Sequence, residues 1–187
     1  MADWITATGA DTSTYRGLDR IFEYTNWDGK LTPTNCGLAA SATYLTHLGK
    51  FPPLPEEAAQ IMNALEADHP PNIFFGKFGT SRGRVERMCA AYGTQLDFFE
   101  EEETLRNYLD QNKPVMVMCQ MPGKQILGLH FPSGHWMVAY GYDSNNIFLS
   151  NYGSMTWPEF REVWDGFIPG LIRMRNIGLI AKDLNVS

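Results

Sequence analysis

The sequence predicts an α+β fold, with a mainly helical half packed on a mainly antiparallel β-sheet half. In residues 36–113, apolar residues recur at helical spacing and are bounded by capping and stop signals. In residues 114–187, apolar runs of strand length are joined by turn residues. Because the helical segments precede most of the strands instead of alternating with them, the order is typical of an α+β protein. We expect a single domain over 1–187, in which residues 1–35 form an irregular lead-in.

The composition indicates a globular protein with a substantial core. Of its 187 residues, 44% are hydrophobic and 19% are charged, so one domain can bury most of its apolar surface. The formal charge of −6 argues against a nucleic-acid or anionic-membrane surface, because a negative protein repels phosphate. We find neither a signal-peptide pattern nor an apolar run long enough to span a bilayer. A cytoplasmic protein is therefore expected, and specialised export as an effector stays open.

Helices and strands are predicted from local signals along the chain. The first helix begins at Cys36, after the capping residues Thr34 and Asn35, and ends at Gly49. A hairpin is predicted where two apolar, β-rich runs are joined by the turn residues 143–146. The predicted helices are 36–49, 55–69, 84–93, 101–113 and 157–167, and the predicted strands are 94–99, 114–121, 171–183 and those of the hairpin 135–153.

Cys36 is the candidate nucleophile. A helix N-terminus stabilises a thiolate through its unpaired backbone N–H groups and the positive end of the helix dipole. Cys36 opens the first predicted helix, and the following Gly37 leaves no side chain over the sulfur. Cys89, within a helix, and Cys119, within an apolar strand, are interpreted as buried structural thiols. No two cysteines have CxxC spacing, so we predict neither a metal site nor a cofactor.

His135 is the candidate base for this thiol. It opens the first strand of the predicted hairpin, where an imidazole can project from a sheet edge toward a cleft. His47 lies at the far end of the helix that Cys36 opens, about 16 Å along its axis, which is too far for a hydrogen bond. His69 lies beside prolines at a helix end. His130, in the same loop as His135, is an alternative base, and a solvated loop histidine is the alternative interpretation of His135 itself.

Asn151 is the candidate that orients the imidazole. An amide or carboxylate next to the base fixes its tautomer and its direction. Asn151 follows His135 in the hairpin, and the turn at 143–146 folds it back to the level of that histidine. Asp143 is nearer in sequence, but it belongs to the far end of the hairpin. A turn residue without a catalytic role is the alternative interpretation of Asn151.

These residues and their order resemble the papain-like cysteine peptidases, and among them the double-glycine, bacteriocin-processing peptidases. Three motifs carry the resemblance, and it covers most of the chain. They are a Cys-Gly pair opening an Ala-rich helix, NCGLAASATYL, a strand, turn and strand, GHWMVAYGYDSNNIFLSNYG, and an aromatic helix, WPEFREVW. The resemblance implies a papain-like fold, a triad of Cys36, His135 and Asn151, and a peptide or amide substrate.

One position departs from the pattern of the family that the chain resembles. The resemblance implies a Gln a few residues before the cysteine, whose amide donates to the oxyanion, and no Gln is present there. Lys30 stands before Cys36 instead, and the nearest amides are those of Asn26 and Asn35. We expect Asn26 and the backbone N–H of Cys36 to act as donors, with Lys30 as a cationic alternative. An oxyanion donor contributes roughly 3 to 4 kcal/mol, so this position bears directly on activity.

The sequence therefore predicts a cysteine-dependent peptidase or amidase that works through a thioester acyl-enzyme. An acyltransferase resembling a transglutaminase or phytochelatin synthase, and a catalytically inactive peptide-binding relative, are alternatives on the same fold. Candidate walls of the substrate cleft are the glycine-broken aromatic segment 72–84 and the lead-in before Cys36. Phe74, Phe75 and Phe78 of this segment fit a cap over the core slightly better than a cleft wall.

Overall fold

The structure, a computed structural model, describes residues 1–29, 35–70, 80–121, 125–126, 129–130, 133–168, 172–173 and 176–184. Its helices are α1 (Cys36–His47), α2 (Ala58–Asp68), α3 (Arg82–Ala91), α4 (Glu102–Asp110) and α5 (Trp157–Trp164). Its strands are β1 (Asp3–Thr6), β2 (Arg16–Gly17), β3 (Arg20–Glu23), β4 (Leu96–Phe99), β5 (Val115–Met121), β6 (Gln125–Ile126), β7 (Leu129–His130), β8 (Ser133–Tyr142), β9 (Asn146–Leu149), β10 (Gly153–Thr156), β11 (Phe167–Ile168), β12 (Ile172–Arg173) and β13 (Ile177–Ala181). None of these helices has the length and apolar character that crossing a membrane requires, in the part of the chain described.

The main sheet is antiparallel and has the strand order β10-β9-β8-β5-β13-β4. Its longest pairing joins β8 to the whole of β5. On its other side β8 pairs with β9, but only from Ala139 to Tyr142. The first half of β8 therefore extends beyond β9, and this overhang carries His135.

The side chains of β8 alternate between two packed layers, as the pleat of a strand requires. One face of the strand packs against α1, and the other packs against α5 and α4. The residues on the α1 face are Trp136, Val138 and Tyr140, and those on the α5 face are Met137 and Ala139. The sheet is thus covered by helices on both faces at the level of β8, which explains why β5 and β8 are apolar along most of their length.

α1 is the central helix of the protein and is buried along eleven of its twelve residues. Its many small residues allow the sheet to pack on one side and α2 and α3 on the other. The predicted start at Cys36 is confirmed, and the helix ends at His47, followed by Gly49 in the left-handed conformation with φ +72°. The second and third predicted helices are present with shifted starts, because residues 55–57 form a 3₁₀ turn and α3 already begins at Arg82.

The other predicted elements are also present, with shorter bounds. Predicted helices 101–113 and 157–167 correspond to α4 and α5, predicted strands 94–99 and 114–121 to β4 and β5, and the hairpin 135–153 to β8 and β9. The predicted strand 171–183 contains β12 and β13. The candidate cleft segment 72–84 lies mostly outside the described residues, as do Phe74, Phe75 and Phe78, and its last residues open α3.

The irregular lead-in predicted for residues 1–35 is wrong for its first part. β1 pairs with β3 as an antiparallel hairpin, in which Trp4 lies opposite Phe22. Ile21 and Phe22 are each only 2% exposed, because the hairpin packs against α1 and the main sheet. The prediction failed because strands of four residues are too short to show a period-two pattern of apolar residues. Their pairing depends on contacts with residues that are distant in sequence.

Candidate active site

Cys36 lies where the N-terminus of α1 meets the free edge of β8. Its Sγ atom is 4.0 Å from the carbonyl oxygen of Gly134, and the backbone N–H of Trp136 also faces it. Residues two apart in a strand direct their backbone groups to the same edge, and those of Val138 bond Ser150 at the β9 edge. The backbone groups of Gly134 and Trp136 therefore also point toward that edge. At Gly134 and Trp136 the pairing with β9 has ended, so in the described part of the chain the sulfur occupies the place of a strand partner.

The Cys36 thiol is held in a buried position lined by amides. Cys36 is 4% exposed, and this burial raises the pKa of the thiol. Four backbone N–H groups oppose this effect on the pKa because they stabilise the thiolate, namely its own and those of Trp136, Gly37 and Thr80. Burial has the larger effect, so the resting thiol is protonated and needs a base before it can act as a nucleophile.

Thr80 covers the first turn of α1 beside the sulfur. Its carbonyl oxygen accepts a hydrogen bond of 2.7 Å from the indole of Trp136, which ties the residue to β8. Gly37 makes this position possible, because a Cβ atom there would overlap Thr80 and lie 2.6 Å from its Oγ1 atom. Gly37 places no side chain of its own over the sulfur, as expected, but the space that it leaves is filled by Thr80. No sequence signal identifies Thr80, because it acts through its backbone groups.

His135 is the residue between the two backbone groups that contact the sulfur. Its partly buried side chain shares a face of the sheet with Met137 and with Cys119, its neighbour across β5. The imidazole therefore leaves the strand on the α5 face, whereas Cys36 approaches from the α1 face. Among the described residues, the ring forms no hydrogen bond with Cys36 or Asn151. Burial lowers the pKa of His135, so the ring is neutral at pH 7 and can accept a proton.

Asn151 lies in the turn between β9 and β10, in the left-handed conformation with φ +60°, which Asn adopts more readily than most residues. Its backbone N–H donates to the carboxylate of Glu23, and its Nδ2 atom donates to the carbonyl oxygen of Tyr24 at 2.8 Å. The N–H of Tyr24 donates in turn to Thr43 in α1, so Asn151 is tied to the helix that carries Cys36. Within the described ranges its Oδ1 atom has no hydrogen-bond partner and is free to accept.

The expected oxyanion donors differ in where the structure places them. Asn26 lies in the 3₁₀ turn before α1, and its buried Oδ1 atom has no partner among the described residues. Lys30 lies outside the described residues. Asn35 is fully buried and donates from Nδ2 to the carboxylate of Glu66, which commits its amide elsewhere. The donors that face the sulfur are backbone N–H groups, including that of Cys36 itself.

The remaining cysteines are core residues. Cys89 and Cys119 are free thiols with no solvent exposure, as the sequence predicts. Burial raises the pKa of Cys89 to about 12 and raises that of Cys119 further. Over the described ranges, no three His, Cys, Asp or Glu side chains are grouped so that they could hold a metal ion.

Several solved structures share this fold. The peptidase domain of Streptococcus ComA, a bi-functional ABC transporter involved in a quorum sensing pathway, matches with a TM-score of 0.54 and 18% identity, over 82% of this chain and 94% of that domain. A double glycine motif protease from an AMS/PCAT transporter, in complex with the leader peptide, matches with a TM-score of 0.54 and 16% identity, over 89% of this chain and 92% of that one. At these identities the likeness shows the fold, and it confirms the papain-like α+β architecture.

The sequence also matches a family model. The match is to the Peptidase_C39 like family and extends over residues 20–164, which include Cys36, His135 and Asn151. No curated protein matches the chain. The resemblance to double-glycine peptidases is therefore confirmed at the level of the family. Because the match covers most of its length, the chain belongs to the Peptidase_C39 like family of papain-like cysteine peptidases.

Proposed function

We propose that the protein is a cysteine peptidase or amidase in which Cys36 is the nucleophile, His135 the base and Asn151 the residue that orients the base. The observation that carries this proposal is the position of the Cys36 sulfur, against the backbone on both sides of His135. Membership of a cysteine peptidase family supports the class of chemistry. The reaction passes through a thioester acyl-enzyme.

The first step is transfer of the thiol proton to the imidazole. The His135 ring is neutral at pH 7, so it can take the proton from the Cys36 Sγ atom and form a thiolate–imidazolium pair. To reach the sulfur, the ring turns about its Cα–Cβ bond around the strand edge that β9 leaves free. Catalytic hydrogen bonds are often long or poorly aligned without substrate and tighten when substrate binds, and the proposal requires this of the bond between Cys36 and His135.

The second step is attack of the Cys36 thiolate on the substrate carbonyl carbon. A C–S bond forms, and the oxyanion is held by the backbone N–H of Cys36 and by a side-chain donor, Asn26 or, as the cationic alternative, Lys30. The C–N bond then breaks, and the imidazolium of His135 gives its proton to the leaving amine. Water, deprotonated by the same ring, hydrolyses the thioester and restores the free thiol.

Asn151 holds the ring in the reactive direction. Because its Nδ2 atom is committed to the carbonyl oxygen of Tyr24, the orientation of the amide is fixed, and Oδ1 is the atom left to accept the second ring N–H of His135. The backbone bond to Glu23 fixes the turn itself. This arrangement favours the tautomer of the imidazole that presents its unprotonated nitrogen to the thiol.

A second candidate function is peptide binding without catalysis on the same fold. It is favoured by one observation, the buried and protonated thiol of Cys36 that makes no hydrogen bond with the imidazole of His135 in the described part of the chain. The two candidates differ in whether any peptide bond is cleaved.

Peptides that carry a Gly-Gly pair before the bond to be cleaved distinguish these functions, since one similar structure is a double glycine motif protease in complex with the leader peptide. The wild-type protein and Cys89→Ser should cleave such a peptide, and Cys36→Ser should not, as measured by mass spectrometry of the products. Acylated Cys36 should be recovered from the wild-type protein. Adding glycine amide as an acceptor reports acyl transfer by the appearance of the amide product. Equal cleavage by Cys36→Ser would disprove the proposal, and binding without cleavage would establish the second candidate.

A further inference from the structure

An open cavity of about 590 Å³ lies between the N-terminal hairpin and the main sheet, near the sheet edge formed by β9 and β10. Its floor contains the aromatic residues Tyr140 and Phe148, together with Ser154, which lies opposite Phe148 across the two strands. Tyr152, which is 50% exposed, also lines it. Of the described residues that line the cavity, Glu23 is the charged one, and we call it the Glu23 cavity.

The carboxylate of Glu23 has unused acceptor capacity. One of its oxygens accepts the backbone N–H of Asn151, and the other forms no hydrogen bond within the described residues. Asp3 lies directly opposite Glu23 in the pairing of β1 with β3, so both carboxylates leave the hairpin on the same face. Asp3 does not itself line the cavity, and burial raises the pKa of Glu23, an effect that a bound cation would oppose.

Two positive groups of the same hairpin are engaged elsewhere. The amino group of Met1 lies 3.5 Å from the carboxylate of Asp28. The guanidinium of Arg20 stacks over the ring of Trp4, at 4.3 Å from its centroid. Strand alternation directs Arg20 to the hairpin face opposite to Glu23, although Trp4, on which it stacks, also lines the cavity. The charge of the Met1 amino group lowers the pKa of Glu23, but among the described residues neither cation forms an ion pair or a hydrogen bond with this carboxylate.

We propose that the Glu23 cavity binds a basic side chain of a peptide substrate, with the guanidinium or ammonium group against the carboxylate of Glu23. A cation that donates hydrogen bonds matches a partly buried carboxylate with a free oxygen, whereas an anion is repelled and an apolar group leaves that oxygen unpaired. Tyr152 and Trp4, which are 50% and 43% exposed, supply aromatic surface for the aliphatic stem and for the cation itself.

The location of the cavity favours a peptide over a free cation. β10 stands at the end of the strand order, so its outer backbone groups can pair with an extended chain. Gly153 and Ser154 of β10 line the Glu23 cavity, so a peptide bound along this edge would pass the opening of the cavity. Asn151 also lines it, which joins the cavity to the proposed triad. The inference that the bound side chain belongs to a substrate rests on the proposed function. The inference that a basic side chain binds in the cavity does not.

Binding is tested on Cys36→Ser, which cannot turn over a substrate, by NMR titration of the full chain. The probes are acetyl-Gly-Arg-Gly amide and the same tripeptide with citrulline, which has the shape of arginine without its charge. We expect the arginine probe to bind at least about tenfold more tightly than the citrulline probe. Shifts should concentrate at Tyr152, Gly153 and Ser154. Equal binding of both probes, or no binding of either at millimolar concentration, would overturn the inference.

Glu23→Gln supplies the matched variant, because the amide oxygen of Gln can still accept the N–H of Asn151. It should lose the preference for arginine, while Glu86→Gln, which changes a partly buried carboxylate that pairs with Arg82 on α3, should retain it. A preference that survives Glu23→Gln would contradict the assignment. This test is independent of catalysis. If the protein proves inactive but still binds the arginine probe more tightly than the citrulline probe, the binding site is supported and only the proposed function fails. If the protein proves active but binds both probes equally, only this inference fails.

Discussion

The Sγ atom of Cys36 lies 4.0 Å from the carbonyl oxygen of Gly134, the residue that precedes His135. This contact joins the start of the central helix to the overhang of the central strand, across 98 positions of sequence. Cys36 and the His135 side chain lie on opposite faces of this strand. Burial raises the pKa of the thiol and lowers the pKa of the imidazole, so both groups are neutral at pH 7. Reactivity then depends on what holds the thiol and what directs the ring.

Gly37→Ala tests how the thiol is held. The new methyl group overlaps Thr80, so we expect the free energy of unfolding to fall by about 1–3 kcal/mol, measured by urea denaturation, and cleavage to fall with it. Thr80→Gly in the same chain removes the overlapping atoms and should restore part of both.

Gly83→Ala is the control for that experiment. Gly83 is also helical, but the nearest atom to an added methyl group there is 3.6 Å away, at the end of the flexible Arg87 side chain. This change should stabilise the protein by about 0.5–1 kcal/mol through helix propensity. A Gly37→Ala protein as stable as Gly83→Ala would show that Thr80 does not restrict that position.

Replacing Asn151 separates the role of its side chain from that of its backbone. Asn151→Ala keeps a Cβ atom at φ +60° and should lose about 1–2 kcal/mol of stability relative to Asn151→Gly. Both variants lose the amide, so both should lose cleavage activity by at least about tenfold, although they differ in stability. Stability is measured by denaturation and activity by kcat/KM on the same peptide.

Asn112 provides the matched control, since it also has a positive φ, +57°, and lies in the turn before β5. Asn112→Gly should leave kcat/KM unchanged. If the activity of the Asn151 variants follows their stability, and Asn151→Gly is as active as the wild type, then Asn151 is a turn residue only.

The stability of the protein should fall in alkali because of its buried thiols. The pKa of Cys89 is raised from 9.0 to about 12 in the folded protein, so between these pH values the unfolded chain has lost a proton that the folded chain retains. The contribution of Cys89 is therefore complete below pH 9 and is lost as the pH rises, at about 1.4 kcal/mol per pH unit. Denaturation of wild type and Cys89→Ala should show similar slopes near pH 8 and a slope steeper for the wild type by this amount between about pH 10 and about pH 11. Parallel slopes would contradict it.

The parts of the fold that sequence reasoning predicts are those with local causes. α1 ends before Gly49 because the left-handed glycine acts within one turn. It begins at Cys36 as predicted, although Asn35 at the N-cap makes no side-chain capping hydrogen bond. The turn of the β8–β9 hairpin is likewise local, since the carboxylate of Asp143 accepts the N–H groups of Asn145 and Asn146 at 2.8 and 2.7 Å. By contrast, β1 and β3 pair through contacts with distant parts of the chain, which a short polar sequence does not reveal.

The candidate site shows the same division. Cys36 and the His135 segment could be placed together because a helix start and a hairpin are both readable. Tyr24 and Thr80 could not be found, since they act through carbonyl and N–H groups that every residue possesses. The direction of the His135 imidazole also escapes sequence reasoning, because it depends on the register of β8 with β5.

The rate at which iodoacetamide alkylates each cysteine of the folded protein at pH 7, measured by peptide mass mapping, tests the central claim most directly. Burial raises the pKa of all three thiols, so without a base they should react slowly. We predict that Cys36 reacts at least about tenfold faster than Cys89, that His135→Ala removes this excess, and that His130→Ala does not. Equal rates at Cys36 and Cys89 in the wild type, or an excess at Cys36 that persists in His135→Ala, would contradict the assignment of Cys36 and His135 as nucleophile and base.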